Sequence, residues 1–392
     1  MHALGVHFFK EETMKDLALY IHIPFCEKKC YYCDFTSFPE MTSEISQYID
    51  YLIKELSLYK EKIGDKYNIS SIFIGGGTPS SINENYIEQI LNYVFLNYNT
   101  KEDIEVSIEV NPGSVSLEKA KKYKAIGINR VSIGLQSLND DLLKSIGRIH
   151  NAEDFYKSYK ILKDVGFDNI NIDLMFALPD QSLKDLLLTL EQVVKLDVSH
   201  ISLYSLILEE GTKFYKMHEM GKLNMPSEEE DRDMYHKSVQ FLKSNGYEHY
   251  EISNFSKRNS KCKQNMTYWK VNPYIGLGIN SHSNLDNKRF SNVSDFKNYY
   301  FKLEKNEFPL HEIEDIANEM EIVEYIILGL RLIEGIDKDE FKRRFKEDID
   351  HLYREQILKN IKNGLLVECE NHIKLTDLGL DLSNQVELDF FP

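Results

Sequence analysis

The run Leu17-Ala18-Leu19-Tyr20-Ile21-His22-Ile23, followed three residues later by Cys26-Glu27-Lys28-Lys29-Cys30-Tyr31-Tyr32-Cys33, decides how this chain is read. The first run is short and almost wholly apolar, the pattern of a strand buried on both faces. Three cysteines then fall within eight residues. At this spacing three thiolates can hold three corners of a [4Fe–4S] cube, whereas a ferredoxin-type site supplies a fourth. One iron is then left open for another ligand. A loop leaving the end of a buried strand is also where cofactor sites are commonly built. Zinc normally takes four ligands in two separated pairs. The other two cysteines, Cys262 and Cys369, stand alone, so zinc would need these three plus His22 or a distant residue. A disulfide framework fits less well, because five cysteines in 392 residues is an odd and sparse set.

Bulk composition bounds the rest. The length allows one large domain and a small one, and 42% hydrophobic residues suffice for a sizeable core. No stretch approaches the roughly 18 uninterrupted apolar residues of a membrane span. The first thirteen residues carry no long apolar segment and read as a disordered tail, with Met14 as an alternative start. Together these suggest a cytoplasmic protein. A formal net charge of −16 argues against a nucleic-acid partner, since phosphate binding needs a positive field.

Outward from the cysteines, short β-rich runs alternate with amphipathic stretches. Strands are expected over Leu17–Phe25, Ser71–Ile74, Glu105–Val110, Arg130–Leu135, Asn169–Phe176 and His200–Ile207. Helices are expected around Ser43–Lys60, Asn83–Leu96, Leu117–Ile126, Asp154–Val165 and Leu183–Leu196. Six β-α units in succession imply a parallel sheet with helices outside, either doubly wound or a barrel. Polar motifs recur at the C-terminal ends of the strands, as in a barrel. Past Glu228–Ser244 the alternation loosens: Tyr247–Ile252 and Tyr274–Asn280 read as further strands, and a charged connector is expected over 286–311. Helices follow, from Ile316–Leu332 to about Asn363. A small hairpin at Leu365–Val367 and His372–Leu375 and a last helix after Thr376 complete a winged-helix-like module at 312–392. With 20 acidic against 10 basic side chains in residues 311–392, that module reads as a packing or partner surface, not a DNA reader.

The strand ends carry the chemistry. Gly75-Gly76-Gly77-Thr78-Pro79 closes the second strand, where glycines let a ligand approach the backbone, although such a strand end is often only a turn. A phosphate loop is disfavoured, because no Gly-Lys-Ser/Thr follows. Glu109, Gln136, Arg148 and Asp173 fall on or just beyond later strand ends facing one mouth. A carboxylate can bind ribose hydroxyls or an ammonium and an arginine can pair with a carboxylate, a set suited to a zwitterionic nucleoside such as S-adenosylmethionine.

Cys-x3-Cys-x2-Cys after an apolar strand, then a Gly-Gly-Gly-Thr-Pro strand end, resembles the radical S-adenosylmethionine superfamily. Tyr20-Ile21-His22-Ile23-Pro24-Phe25-Cys26, Glu109-Val110-Asn111-Pro112, Ile133-Gly134-Leu135-Gln136-Ser137 and Tyr250-Glu251-Ile252-Ser253-Asn254-Phe255 resemble the oxygen-independent coproporphyrinogen III oxidase family. That likeness covers essentially residues 14–392. It implies a partial (β/α)6 barrel of the TIM type over 14–285, followed by the connector and a small, mostly helical C-terminal domain. It implies a [4Fe–4S] cluster on Cys26, Cys30 and Cys33, with the open iron chelated by S-adenosylmethionine. By resemblance the nucleoside would lie among Tyr20, Tyr32, Gly76, Gly77, Thr78, Glu109, Gln136, Arg148 and Asp173.

Two branches share these motifs. The oxidase carries another cysteine two residues past the triad and a long N-terminal extension. Here Cys33-Asp34-Phe35 follows, and little precedes Tyr20. Both features resemble the HemW-type haem-chaperone branch, which implies haem, or another tetrapyrrole, as cargo and haem-accepting proteins as partners, with a monomer or homodimer as the working form. Decarboxylation of coproporphyrinogen, or a radical reaction on another substrate, is the alternative. The branch pattern His-Asn-x-x-Tyr-Trp appears as Gln264-Asn265-Met266-Thr267-Tyr268-Trp269. Gln is a poor axial ligand for haem iron, which leaves Cys262, Asn265, Tyr268, Trp269 and His282 as the other residues of the expected haem region.

Overall fold

The computed structural model describes residues 14–391, and the tail expected over residues 1–13 lies outside the described residues. The chain builds one twelve-stranded sheet: β1 (Lys15–Ile23), β2 (Tyr67–Gly76), β3 (Thr100–Val110), β4 (Arg130–Gln136), β5 (Asn169–Phe176), β6 (His200–Ser205), β7 (Glu248–Glu251), β8 (Asn254–Ser256), β9 (Tyr274–Leu277), β10 (His282–Leu285), β11 (Lys288–Asn292) and β12 (Leu310–Asp315). Their order is β12-β11-β10-β9-β1-β2-β3-β4-β5-β6-β8-β7. Strands β1 to β6 pair in parallel and are joined by helices Ile45–Ile63, Glu84–Asn97, Leu117–Ala125, Ala152–Asp164 and Leu183–Lys195, the alternation the sequence implies. The sheet does not close on itself, so the barrel is partial.

Alternation along the strands decides which side faces what. Ile72, Ile74, Val106, Ile108, Val131, Ile133, Leu135, Ile172, Leu174, Ile201 and Leu203 are fully buried in the main core, against helix residues such as Leu52, Ile90 and Leu190. The residues between them are polar or aromatic. Phe73, Glu109, Arg130, Ser132, Asn171, Asp173, Ser202 and Tyr204 line a cavity on the opposite face. The barrel therefore has an apolar outside under its helices and a polar inside. Helix starts follow from local chemistry: Ser182 with Asp185 and Asn151 with Asp154 form capping boxes, satisfying backbone N–H groups that have no partner within the helix.

The strand expected from Tyr274 forms over Tyr274–Leu277 and pairs in parallel with β1, Leu19 opposite Ile275 and Ile21 opposite Leu277. One stretch differs from the sequence expectation. Residues 286–311, expected as a charged connector, hold β11, the helix Phe296–Glu304 and the start of β12, extending the sheet antiparallel. Their charges sit on an exposed edge, where Lys288 pairs with Asp315 and Arg289 with Glu324. Charged edge strands are how sheets discourage further pairing, and by composition they look like linker.

Buried Glu55 ties this flank to the barrel. Its carboxylate accepts from Gly278 N (2.8 Å), Asn292 Nδ2 (2.7 Å) and the Tyr299 hydroxyl (2.6 Å). Burial pushes its pKa up to about 7, against the pull of those donors. After the barrel, the helix Asn318–Gly329 leads into a three-stranded antiparallel sheet of Ile336–Asp337, His372–Leu375 and Leu366–Cys369. This part has its own core, including Ile326, Phe341, Ile357 and Ile373. Arg344 fastens it by donating to the carbonyls of Lys270 and Val271, 2.7 Å each. Among the described residues no helix is long and apolar enough to cross a membrane.

Candidate functional site

The cysteine loop is clamped at both ends. Where β1 stops, Phe25–Cys26 pairs with Phe38–Pro39, and Phe38 N donates to Pro24 O at 2.7 Å. In the middle, Tyr31 N donates to Ile146 O (3.0 Å), and Tyr31 O accepts from Phe214 N (2.9 Å). Cys26, Cys30 and Cys33 are all free thiols and all half-buried. Burial pushes the Cys26 thiol up and that of Cys33 up to about 11. For Cys26 and Cys33 burial thus favours the protonated thiol in the absence of a metal. A bound metal's charge lowers a ligand thiol's pKa, so loading must release protons. The donor set is three cysteines in one cavity wall, with Arg148 Nη1 3.6 Å from Cys30 Sγ. That suits a sulfide-bridged iron cluster, whose thiolates are tuned by hydrogen bonds to sulfur. His22 is no ligand: Nδ1 lies 3.0 Å from the Tyr20 hydroxyl and Nε2 2.8 Å from Thr36 O, so both ring nitrogens are used beneath the loop.

The glycine strand end serves the protein itself. Gly77 N donates to Ile23 O (2.9 Å) and Thr78 N to Phe25 O (2.7 Å), docking the end of β2 on the cysteine loop. A Cβ on Gly77 would stand 2.6 Å from Phe25 O. A Cβ on Gly76, whose φ is +112°, would stand 2.4 Å from His22 Nδ1. The reading that these glycines make room for a ligand is therefore incomplete, because the neighbouring backbone and imidazole already fill that room.

Beside the cysteines lies a cavity of about 130 Å³. Eight of the nine residues expected around a nucleoside line it: Tyr32, Gly76, Gly77, Thr78, Glu109, Gln136, Arg148 and Asp173. Tyr20 does not; its ring stacks on Phe73 instead. Strand ends place these groups. A register shift at Gly134–Gln136 and a φ of +69° at Gln136 turn that side chain inward, where its Oε1 accepts from the Tyr204 hydroxyl at 3.0 Å. Arg148 Nη2 donates to Asn111 Oδ1 (2.8 Å) and to Gly134 O. Asn111 Nδ2 in turn donates to Thr78 Oγ1 (3.0 Å), linking the ends of β2, β3 and β4. Glu109 accepts from Gly76 N (3.1 Å); burial, with the nearby Asp173 charge, pushes its pKa up to about 8. Asp173 is raised too, by burial, against hydrogen bonds from Ser132 (2.9 Å) and Asn171 (2.7 Å).

A second cavity of about 470 Å³ opens next to the first, sharing Tyr32, Cys33, Phe35, Glu109, Asp173 and Tyr204 with it. Of the residues expected around haem, Cys262 and Asn265 line this cavity. Gln264 does not: it is buried, accepting from Ser71 Oγ (2.9 Å) and donating to the Tyr268 hydroxyl (2.9 Å). Trp269 lies under the Arg331 guanidinium, 4.4 Å from ring centroid to Cζ, on the side of the C-terminal part. His282 is exposed on β10. The expected set is thus dispersed. Cys262 itself is a poor thiolate source, with burial holding its pKa up at about 11. The sequence reading missed the cavity's polar wall of Arg130, Ser132, Asn171, Ser202 and Asn254. The signal was available for four of them, since Arg130, Ser132, Asn171 and Ser202 on strands β4 to β6 share the parity of Asp173.

Comparison with known proteins agrees with this geometry. The family model for the radical SAM superfamily matches residues 20–193, and that for the HemN C-terminal domain matches 316–382. The chain is 36% identical to the heme chaperone HemW of Bacillus subtilis over 94% of its own length and 97% of the relative's. It is 37% identical to that of Lactococcus lactis (95% and 96%) and 31% identical to that of Escherichia coli K12 (95% and 97%). The solved structure of coproporphyrinogen III oxidase (HemN) from Escherichia coli superposes with a TM-score of 0.84 at 23% identity, over 96% of this chain and 90% of that one, and so shares the fold. From the cysteine loop to the C-terminal helices, this chain belongs to the radical SAM superfamily and, within it, to the HemW family of haem chaperones.

Proposed function

We propose that this protein is a haem chaperone that carries a [4Fe–4S] cluster on Cys26, Cys30 and Cys33, with S-adenosylmethionine beside it, and holds haem in the larger cavity for transfer to haem-accepting proteins. The adjacency of the two cavities carries the reading. One is small, polar and edged by three cysteines; the other is in the size range of cofactor pockets and has apolar walls at Phe35, Phe73, Met175 and Leu206. The names of the curated relatives support the same conclusion.

Bound in the smaller cavity, the cluster and S-adenosylmethionine supply one-electron chemistry at the sulfonium. The chain's own groups do the holding. Cys26, Cys30 and Cys33 ligate, and Arg148 keeps a positive charge against Cys30 Sγ. Glu109 and Asp173 present carboxyls to hydroxyl and cationic groups of the nucleoside. Tyr204, bonded to Gln136, lines both cavities and so stands between the nucleoside and the larger cavity.

Glu109 gives this assignment a pH signature. Below its raised pKa of about 8 the carboxyl is neutral; above it the charge that attracts a cationic ligand is present. Affinity of the cluster-loaded protein for S-adenosylmethionine is expected to rise between about pH 7 and about pH 9 and then level off. Glu109→Gln should bind more weakly and lose this rise. Calorimetric titration across that range checks it, and a flat wild-type profile would contradict the role given to Glu109.

Haem binding is tested by anaerobic reconstitution followed by haem titration of wild type and Cys262→Ala. A Soret band saturating near about one equivalent is expected of a chaperone holding one haem iron. No band at any haem ratio would refute the reading. Loss of the band in Cys262→Ala alone would make this thiol the axial ligand, despite its raised pKa.

A further inference from the structure

The floor of the larger cavity holds an arginine without a partner. Arg130, the first residue of β4, is 2% exposed and is among the largest fully buried side chains of the chain. It lines the cavity. Its Nε is buried with no hydrogen-bond partner, and its guanidinium forms no hydrogen bond or ion pair with any of the described residues. Burial opposes its charge, while Cys262, Glu105, Tyr250 and Asp173, in that order, favour it without forming an ion pair.

The polar groups around it do not share this lack. Asn171 Nδ2 donates to Ser132 Oγ (2.7 Å) and to Asp173 Oδ1 (2.7 Å), while Ser202 Oγ donates to Asn254 Oδ1 (2.6 Å). Glu105 Oε1 is occupied by Lys263 N at 2.9 Å. The neighbours satisfy one another, and the guanidinium, which lines the cavity, is left without a hydrogen-bond partner among the described residues. An arginine stays charged under all ordinary conditions, and its planar fork matches a carboxylate with two parallel hydrogen bonds. A buried charge without a partner is costly and is expected where a ligand completes the site.

We infer that Arg130 receives a ligand carboxylate at the floor of this cavity, so that the cavity takes a flat, apolar molecule bearing a carboxylate arm; for haem, that arm is a propionate. The inference rests on the haem-chaperone reading above and adds how haem is oriented, with a propionate down towards β4 and the ring edge between Phe73, Met175 and Leu206. Arg130 is here a positioning residue.

The test compares haem with haem dimethyl ester, whose propionates are capped, on the full-length reconstituted protein. Wild type is expected to bind the ester about 10- to 100-fold more weakly, the range for losing a hydrogen bond to a charged group. Arg130→Met should weaken haem by a similar factor and bring haem and ester to nearly equal affinity, since the two changes remove the same contact. Equal affinity of wild type for both ligands would overturn the inference while leaving the chaperone reading intact. So would an Arg130→Met variant that binds S-adenosylmethionine weakly but haem normally, which would give the guanidinium to the nucleoside's carboxylate instead. If wild type binds neither tetrapyrrole, the chaperone reading itself fails and this inference with it. Should Arg130→Met misfold, seen as loss of cluster absorption, the wild-type comparison still decides whether a carboxylate is recognised.

Discussion

Serine in place of any one of Cys26, Cys30 or Cys33 is expected to leave the anaerobically reconstituted protein without its iron–sulfur absorption, iron falling from about four atoms per chain to below about one. The effect is all-or-none because the ligand set is already one short of a four-thiolate site. No other cysteine can move in. Cys262 is buried across the larger cavity with its thiol 3.7 Å from Glu105 Oε1, and Cys369 is exposed on the C-terminal hairpin. Cys369→Ser therefore serves as the control and should keep its full iron. Metal content by mass spectrometry and acid-labile sulfide together check the outcome. Full iron in a single variant of the triad would mean that the ligands lie elsewhere.

The second large effect is on stability. Gly77→Ala is expected to cost about 3 kcal/mol and to lower cluster loading with it. The added methyl would meet Phe25 O at 2.6 Å and Ile23 O at 2.9 Å, the two carbonyls that receive the docking hydrogen bonds from Gly77 and Thr78. Backbone cannot step aside as a side-chain tip can. Relief would require pulling the end of β2 off the cysteine loop, and an unmade buried hydrogen bond costs about 1–3 kcal/mol. Gly166→Ala is the comparison. It has φ +90° and open space around it, so only the conformational cost of about 1 kcal/mol applies. Denaturant unfolding of the two variants side by side measures the difference. Similar losses would mean that the close approach at Gly77 relaxes cheaply.

How much of this was legible before the fold was known differs by region. The parallel half of the barrel could be read because each unit is local: a short apolar run, a turn, an amphipathic helix. The cysteine triad lies just past β1, and Glu109 and Gln136 lie at the ends of β3 and β4, so their meeting at one cavity could be read in the same way, whereas Asp173 lies within β5 and Arg148 follows a short helix. Pairing across long separations was not. Nothing near Tyr274 announces that it lies beside β1, some 250 residues earlier. Lys288 and Arg289 read as linker because strands near an exposed sheet edge and a linker share a charged composition.

The haem region was the least legible. Local likeness grouped Gln264, Tyr268 and Trp269, yet the short helix Lys263–Trp269 turns Gln264 towards Ser71 and places Trp269 against Arg331. A motif in sequence order says which residues are neighbours, not which face a cavity. Arg130 escaped notice for the opposite reason. Charged residues are almost never fully buried, and in sequence Arg130 shows only as the first residue of an expected strand, with nothing to mark it as buried.

The central claim is that a three-thiolate cluster presents an open iron to S-adenosylmethionine within the smaller cavity. Electron paramagnetic resonance of the reduced, reconstituted protein before and after adding S-adenosylmethionine tests it most directly. A reduced-cluster signal whose g-values shift on addition is the predicted result, because the ligand joins the open iron. A signal unchanged by S-adenosylmethionine, or a protein that carries zinc and no sulfide, would contradict it.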